Sequence, residues 1–182
     1  MNTSNVKFES EDETNVDQNP LIFAAAAGGI STDSVTYPAK IEEVFPIFST
    51  DGQLRISEYN PLPIPGQMNF AILGEHVTVD SSQNPISGTS VSTSIATGVA
   101  ARLLDFARQP DSRTIIDEES FKKMRTKKGM TAIFKLMSYR SDNGYNCLAP
   151  WELLPPDHAT QDRRSTRKEI CQSILSALQD DN

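Results

Sequence analysis

"SGTSVSTSIATGVAARLLDF", residues 87–106, is the stretch that decides the fold expected for this chain. Its large apolar residues recur at steps of three or four, the spacing of one helix face, and are Val91, Ile95, Val99, Leu103 and Phe106. Three alanines widen this face: Ala96, Ala100 and Ala107. The pattern predicts a buried helix from about residue 90 to residue 108, packed against a sheet. Gly98 costs such a helix about 1 kcal/mol relative to alanine, a cost that would be tolerated if another backbone approached there.

Short apolar runs precede this helix and predict strands. "LIFAAA" at Leu21–Ala26 is continuously apolar, as in a strand covered on both faces, and is followed by glycines. Val44–Phe48 and Phe70–Leu73 predict companion strands, bounded by the turn-forming segments "TDG" and "NPLPIPG". His76–Val79 predicts one further short strand.

Helices dominate the prediction for the rest of the chain. Asp117 is expected to cap a short helix over 117–124, and a second helix is expected over about Lys128–Ser138. A last helix is expected over Thr166–Leu178, where Thr166 and Glu169 have the spacing of a capping box. Strands followed by helices predict an α/β fold, with a mostly parallel sheet, a buried serine-bearing helix and C-terminal helices.

Composition narrows the possible partners. The chain has 182 residues, a net charge of −7 and a pI near 4.8, which argues against nucleic-acid binding through bulk charge. Acidic residues are concentrated in the first twenty positions, so we expect 1–19 to be a disordered arm or linker and 20–182 to be the folded domain. The longest apolar run is too short to span a bilayer, and we expect no membrane partner.

The two cysteines predict neither a disulfide framework nor a metal site. Cys147 and Cys171 lack both a disulfide pattern and metal-ligand spacing, so we expect buried free thiols and an intracellular, cytoplasmic location. No glycine-rich phosphate loop follows a strand, and no zinc spacing is present. We therefore expect neither a cofactor nor a metal.

Ser90 stands at a place that suits two different roles. Serine and threonine are preferred caps at helix starts, and a lone Gly-Thr-Ser before a helix is most often a cap. The same place suits a nucleophile, because free backbone N–H groups and the positive end of the helix dipole stabilise a developing oxyanion. The spacing alone leaves both roles open.

The wider stretch resembles the serine-bearing helix of the subtilisin-like serine peptidases (subtilases), in which Gly-Thr-Ser opens a long buried helix. Gly88, Thr89, Ser90 and Gly98 stand at the family's spacing. "LIFAAAAGG" is similar to the strand before the family's oxyanion loop, and "VTYPAKIEEVFPIFSTDG" is similar to the segment after it. The resemblance covers about 20–109. Beyond it, "KKGMTAIFKLMS" and "YNCLAPWELL" resemble, more weakly, the C-terminal part of intracellular fungal subtilase-like domains.

The resemblance implies a serine-type endopeptidase with a partial subtilisin-like fold. Ser90 would be the nucleophile, while Ala27, Gly28 and Gly29 would bind the oxyanion and the substrate. Tyr37–Pro38 would shape a nearby turn with a cis bond. The implied domain has two parts, a serine-bearing core at 20–109 and a C-terminal helical part at 110–182.

The sequence departs from the family at three places. A peptidase of this type needs a histidine that accepts the serine proton and an aspartate that holds the histidine. His76 and His158 match neither the family's chain order nor its histidine motif, so we assign no histidine and no aspartate. Ser94 stands where the family usually has proline. Gly28 or Gly29 stands where the family commonly has an asparagine donor, whose loss lowers turnover roughly 10²–10³-fold.

Two hypotheses follow for the function. In the first, the chain is the serine-bearing part of an endopeptidase and is inactive alone. Its aspartate and histidine then come from an upstream half-domain, on a partner polypeptide or in a longer parent protein, and its substrate is a polypeptide. In the second, the chain is a degenerate pseudopeptidase that serves as a protein-interaction or regulatory module.

Overall fold

A computed structural model describes residues 20–27, 34–80, 84–154 and 163–180. They form a five-stranded sheet flanked by helices, with the strand order β1-β2-β3-β5-β4. The strands are β1 (Ile22–Ala25), β2 (Val44–Thr50), β3 (Phe70–Leu73), β4 (Ser138–Arg140) and β5 (Asn146–Leu148). Strands β1, β2, β3 and β5 pair in parallel, and only β4 pairs antiparallel, with β5. The prediction of an α/β fold with a mostly parallel sheet is confirmed.

Strand β2 is the centre of the sheet's packing, because every one of its residues is buried. Phe45 and Ile47 face a large apolar cluster shared with the helices, and Phe48 faces a smaller cluster on the opposite side. The alternation follows from the period of two along a strand. A strand buried on both faces needs apolar residues at nearly every position, which explains why the run "VFPIF" is continuous.

The long helix, α1 (Thr89–Arg108), packs on strands β1, β2 and β3. The residues that it buries fully are mostly small: Thr89, Ser92, Ala96, Ala100, Leu103 and Ala107. Ile95 and Phe106 are half-buried beside this small-residue face. The predicted buried face is confirmed at Leu103 and at the three alanines, whereas its other large apolar residues are only half-buried. Small side chains let the helix approach the sheet closely. Within the described residues no other backbone approaches Gly98, which is exposed and would have no atom within 4 Å of an added Cβ.

Besides a short 3-10 helix at Pro150–Glu152, the described residues form four further α-helices. They are α2 (Pro110–Arg113), α3 (Glu118–Met124), α4 (Lys127–Leu136) and α5 (Arg163–Asp180). The predicted cap of α3 is confirmed, since the backbone N–H of Ser120 donates to the side chain of Asp117 across 2.7 Å. The predicted capping box is wrong, because α5 already begins at Arg163 and Thr166 lies inside it.

Two strand predictions also need correction. The segment His76–Val79 forms no strand; Val77 makes only an isolated bridge with Ile86. Conversely, no strand was predicted after α4, but Asn146–Leu148 forms β5 and pairs with β3.

Helices and strands share one large core. Phe45 and Phe70 of the sheet, Leu103 of α1 and Phe134 of α4 belong to the same buried cluster as Ile174 of α5. The core therefore joins residues from both predicted parts, 20–109 and 110–182. The predicted arm, 1–19, lies outside the described residues. Among the described helices, none combines the length and apolar character that crossing a membrane requires.

Candidate active site at the start of helix α1

Helix α1 begins directly after Gly88, and Ser90 is its second residue. Gly88 has φ 149° and ψ 159°, a backbone conformation that favours glycine, and no side chain caps the helix. Ser90 is therefore not the helix cap. The first N–H groups of a helix have no acceptor within the helix, and they form the positive end of its dipole. Ser90 is exposed, so its side chain meets solvent at this electropositive end.

Thr89 joins the start of α1 to the end of β1. It is 4% exposed, and its hydroxyl donates a hydrogen bond to the carbonyl oxygen of Ala27 across 3.2 Å. The chain thus brings the predicted nucleophile and Ala27, one of the three predicted oxyanion residues, to the same edge of the sheet. Gly28 and Gly29 lie outside the described residues.

The Tyr37–Pro38 turn lies beside the same strand end. The backbone N–H of Thr36 donates to the carbonyl oxygen of Ala26 across 3.1 Å, which ties the segment before the turn to the end of β1. The peptide bond between Tyr37 and Pro38 is cis, as expected. Tyr37 is 77% exposed, so its ring is available on the surface near this edge.

Gly74 lies at the end of β3, directly beneath the first turn of α1. A Cβ added there would overlap the hydroxyl oxygen of Ser92 and would lie 2.5 Å from that of Ser49. The hydroxyl of Ser92 also donates to the carbonyl oxygen of Ile72 across 3.1 Å, which fixes α1 to β3. The absence of a side chain at Gly74 lets the helix start sit on the strand end.

A network of polar side chains surrounds Gly74, and sequence reasoning missed it. Ser49 and Ser57 are buried, and their hydroxyl oxygens are 2.9 Å apart. The hydroxyl of Tyr59 lies 2.8 Å from that of Ser49 and donates to the carbonyl oxygen of Gly74 across 3.1 Å. Asn60 bonds both the backbone N–H and the carbonyl of Ser49, at 2.8 and 2.7 Å. The one signal in the sequence was the cluster of hydroxyl and amide side chains from 49 to 60.

His76 is not placed as a base for Ser90. Its side chain is 81% exposed, and its Nδ1 lies 3.9 Å from a carboxylate oxygen of Glu75. Its backbone N–H, not its ring, contacts the segment before α1, donating to the hydroxyl of Ser87 across 2.9 Å. His158 lies outside the described residues. Within the described chain, no hydrogen bond joins the Ser90 hydroxyl to a histidine.

The two thiols lie away from this edge. Cys147 and Cys171 are both buried and free, as predicted. Burial raises the pKa of each thiol, although a hydrogen bond with Ser112 and the charge of Arg167 partly oppose the effect at Cys171. A raised pKa keeps a thiol protonated and poorly nucleophilic near neutral pH. Among the described residues, no group of three or more histidines, cysteines or carboxylates could hold a metal ion.

No family model matches the sequence. No curated protein matches it either. Among solved structures, the prenylagaramide maturation protease PagA is similar with a TM-score of 0.52 and 18% identity, over 87% of this chain and 50% of that chain. The two share a fold. This chain spans about half the length of that protease.

The comparison corrects the predicted family. Membership of the subtilisin-like serine peptidases is wrong, because no family model matches and the similar structure is that of a prenylagaramide maturation protease. The predicted resemblance to fungal subtilase-like domains is wrong for the same reason. The motif misled because Gly88, Thr89 and Ser90 also meet a purely structural need. A residue with positive φ and small side chains at a helix start allow the helix to pack closely against the end of a strand, whether or not the site is catalytic.

Proposed function

We propose that this chain forms the serine-bearing part of a peptidase that hydrolyses polypeptides, with Ser90 as its nucleophile. The hydrogen bond between Thr89 and Ala27 carries the proposal, because it joins the electropositive start of α1 to the end of β1. Thr89 and Ser92 are buried at this start, whereas Ser90 is exposed and accessible to a substrate. The fold shared with a maturation protease supports a polypeptide as substrate.

In the proposed reaction, the Ser90 hydroxyl oxygen attacks the carbonyl carbon of a peptide bond while a base takes its proton. The backbone N–H of Ser90 and those near Ala27, Gly28 and Gly29 would hold the resulting oxyanion. The C–N bond then breaks, the base returns the proton to the leaving amine, and water hydrolyses the ester. A serine hydroxyl without a base is a weak nucleophile near neutral pH. We therefore expect the isolated chain to be inactive.

We further propose that the base comes from another polypeptide segment that extends the sheet at β1. In the described residues β1 is an edge strand, and "IFAA" contains neither charge nor proline to prevent pairing. Ile22 in this strand is 43% exposed. A strand that joined β1 in parallel would end at the same sheet edge as Ala27, close to the start of α1. This arrangement would bring a catalytic histidine within reach of Ser90.

The second candidate is a pseudopeptidase that acts as a protein-interaction or regulatory module. It is favoured by the position of His76, whose ring faces Glu75 and solvent. Under this reading, the edge of β1 binds a partner, and Ser90 only belongs to the helix start.

Chemical rescue separates the two candidates. The purified chain is treated with an active-site phosphonate probe, first alone and then with increasing imidazole as an external base. We expect no labelling alone and imidazole-dependent labelling at Ser90, because the described residues include the electropositive start of α1 but place no histidine beside Ser90. Ser90→Ala should abolish labelling. Ser94→Ala is the matched control, since Ser94 is an exposed serine one turn along the same helix.

Each remaining outcome has a defined meaning. Rapid labelling of Ser90 without imidazole would refute the expected inactivity of the chain alone. Absence of labelling at every imidazole concentration would refute the nucleophile and favour the interaction module. Equal labelling of the Ser90→Ala variant would show that another residue reacts.

A further inference from the structure

We propose that Tyr59 is a positioning residue for Ser90, acting through the carbonyl of Gly74 and the backbone N–H of Gly88. That Ser90 needs to be positioned rests on the proposed function. The hydrogen bonds from which we argue do not depend on any activity. Tyr59 belongs to the loop after β2, whereas Gly74 and Gly88 bracket the segment between β3 and α1.

The hydroxyl groups around Tyr59 can donate in only one order. Tyr59 has one hydroxyl proton, and it donates this proton to the carbonyl oxygen of Gly74. The contact of 2.8 Å between the hydroxyls of Ser49 and Tyr59 then requires Ser49 to be the donor. The hydroxyl of Ser57 in turn donates to that of Ser49. The chain of donors thus runs from Ser57 through Ser49 and Tyr59 and ends at Gly74. Each bond in such a chain polarises the next.

The carbonyl of Gly74 connects this chain of hydrogen bonds to the start of α1. Its oxygen accepts a second hydrogen bond, of 2.8 Å, from the backbone N–H of Gly88. The carbonyl of Gly88 then accepts the backbone N–H groups of Val91 and Ser92, at 3.0 and 3.2 Å, which form the first turn of α1. Gly88 is therefore held on both sides, and Ser90 lies within the turn that follows.

This support matters because α1 has no side-chain cap. Glycine also has the greatest backbone conformational freedom of all residues, and Gly88 has a φ of 149°, which other residues rarely adopt. No capping side chain fixes the start of α1, so the hydrogen bond from the N–H of Gly88 to the carbonyl of Gly74 is what holds Gly88 in place. Tyr59 fixes the acceptor of that bond from the opposite side of the segment.

Amide hydrogen exchange of the full chain tests the proposal without requiring activity. Tyr59→Phe removes the hydroxyl and keeps the ring. We expect exchange at Gly88, Val91 and Ser92 to rise about tenfold, which is the effect of losing one typical hydrogen bond. Exchange at core amides such as that of Leu103 should stay unchanged.

Tyr139→Phe is the matched control, because Tyr139 lies in the edge strand β4, is 50% exposed and is not part of the Tyr59 network. It should leave exchange at Gly88 unchanged. A uniform rise at all amides in Tyr59→Phe would overturn the proposal, since Tyr59 would then be a general stabiliser. Unchanged exchange at Gly88 would overturn it too.

A double variant tests the donor order. Ser49→Ala alone should raise exchange at Gly88 severalfold, because Tyr59 loses its donor. Added to Tyr59→Phe, it should change nothing further, since the chain is already broken at the next link. Additive effects would contradict the proposed order. The rescue experiment at Ser90 reads a different property, so failure of the peptidase proposal and failure of this one are distinguishable.

Discussion

The hydroxyl of Thr89 donates to the carbonyl oxygen of Ala27 across 3.2 Å, although 62 positions separate the two residues. This bond connects the first residue of α1 with the residue that follows β1 and its bend. It fixes which strand end lies beside Ser90. Thr89 is only 4% exposed, so water has little access to its hydroxyl to replace the bond.

Replacing this threonine should weaken the fold. Thr89→Val keeps the shape of the side chain and leaves the carbonyl of Ala27 without its donor. We expect the free energy of unfolding to fall by about 1–2 kcal/mol, measured by urea denaturation. Thr89→Ser retains the hydroxyl and should lose much less. Equal losses in the two variants would mean that the methyl group, and not the hydrogen bond, matters here.

A methyl group at Gly74 should disrupt the start of α1. Gly74→Ala places Cβ against the hydroxyl of Ser92 and 2.9 Å from the carbonyl oxygen of Gly88, a backbone atom that has little room to move. We expect a loss of about 2–3 kcal/mol or more in the free energy of unfolding. Gly98→Ala is the matched control. Its position is open and helical, so the change should stabilise the protein by about 0.5–1 kcal/mol. Thermal denaturation of both variants tests the pair.

The apolar edge of β1 should cause association of the chain. We expect concentration-dependent oligomers in sedimentation velocity experiments, because an unprotected edge strand pairs readily. Ile22→Lys should reduce association by placing a charge on this edge. Leu62→Lys replaces another exposed apolar residue, 70% exposed and outside the strands, and should have no such effect. A wild-type chain that remains monomeric at high concentration would contradict the prediction.

The cap of α3 should contribute to stability in a pH-dependent way. The backbone N–H of Ser120 donates to the carboxylate of Asp117 and lowers the pKa of that group below its ordinary value of 3.8. The unfolded chain therefore takes up this proton at higher pH than the folded chain. The stabilisation is fully present above the ordinary value and is lost as the pH falls through the lowered folded-state value.

Asp117→Ser keeps a capping oxygen and removes the titration. Urea midpoints of this variant should fall less steeply than those of the wild type between about pH 5 and pH 2. Identical slopes for the two proteins would show that other carboxylates account for the acid sensitivity.

Local patterns in the sequence predicted most of the elements that lie around the site. The apolar run of β3 was predicted with its observed bounds, Phe70–Leu73, because a short buried strand has a composition that few other elements share. Asp117 was predicted as a cap because the capping bond joins residues three positions apart. The helix bearing Ser90 was also predicted, to within one residue at its start.

Predictions failed where distant contacts decided the outcome. The apolar periodicity put Val91 and Ile95 in the buried face, but they are only half-buried, whereas Ser92, which the pattern did not include, is fully buried against the sheet. Strand β5 was not predicted, because a strand of three residues is too short to show a periodic pattern. It is defined by its pairing with β3.

The sequence by itself determined β1, β2, β3 and the long helix, since these depend on neighbours along the chain. Only the tertiary structure decided what stands around Ser90. Three contacts join segments that lie far apart in the sequence: the bond from Thr89 to Ala27, the contact of Gly74 with Ser92, and the bond from Tyr59 to Gly74. Such contacts arise because a parallel sheet gathers its strand ends at one edge, and no local pattern encodes which side chains meet there.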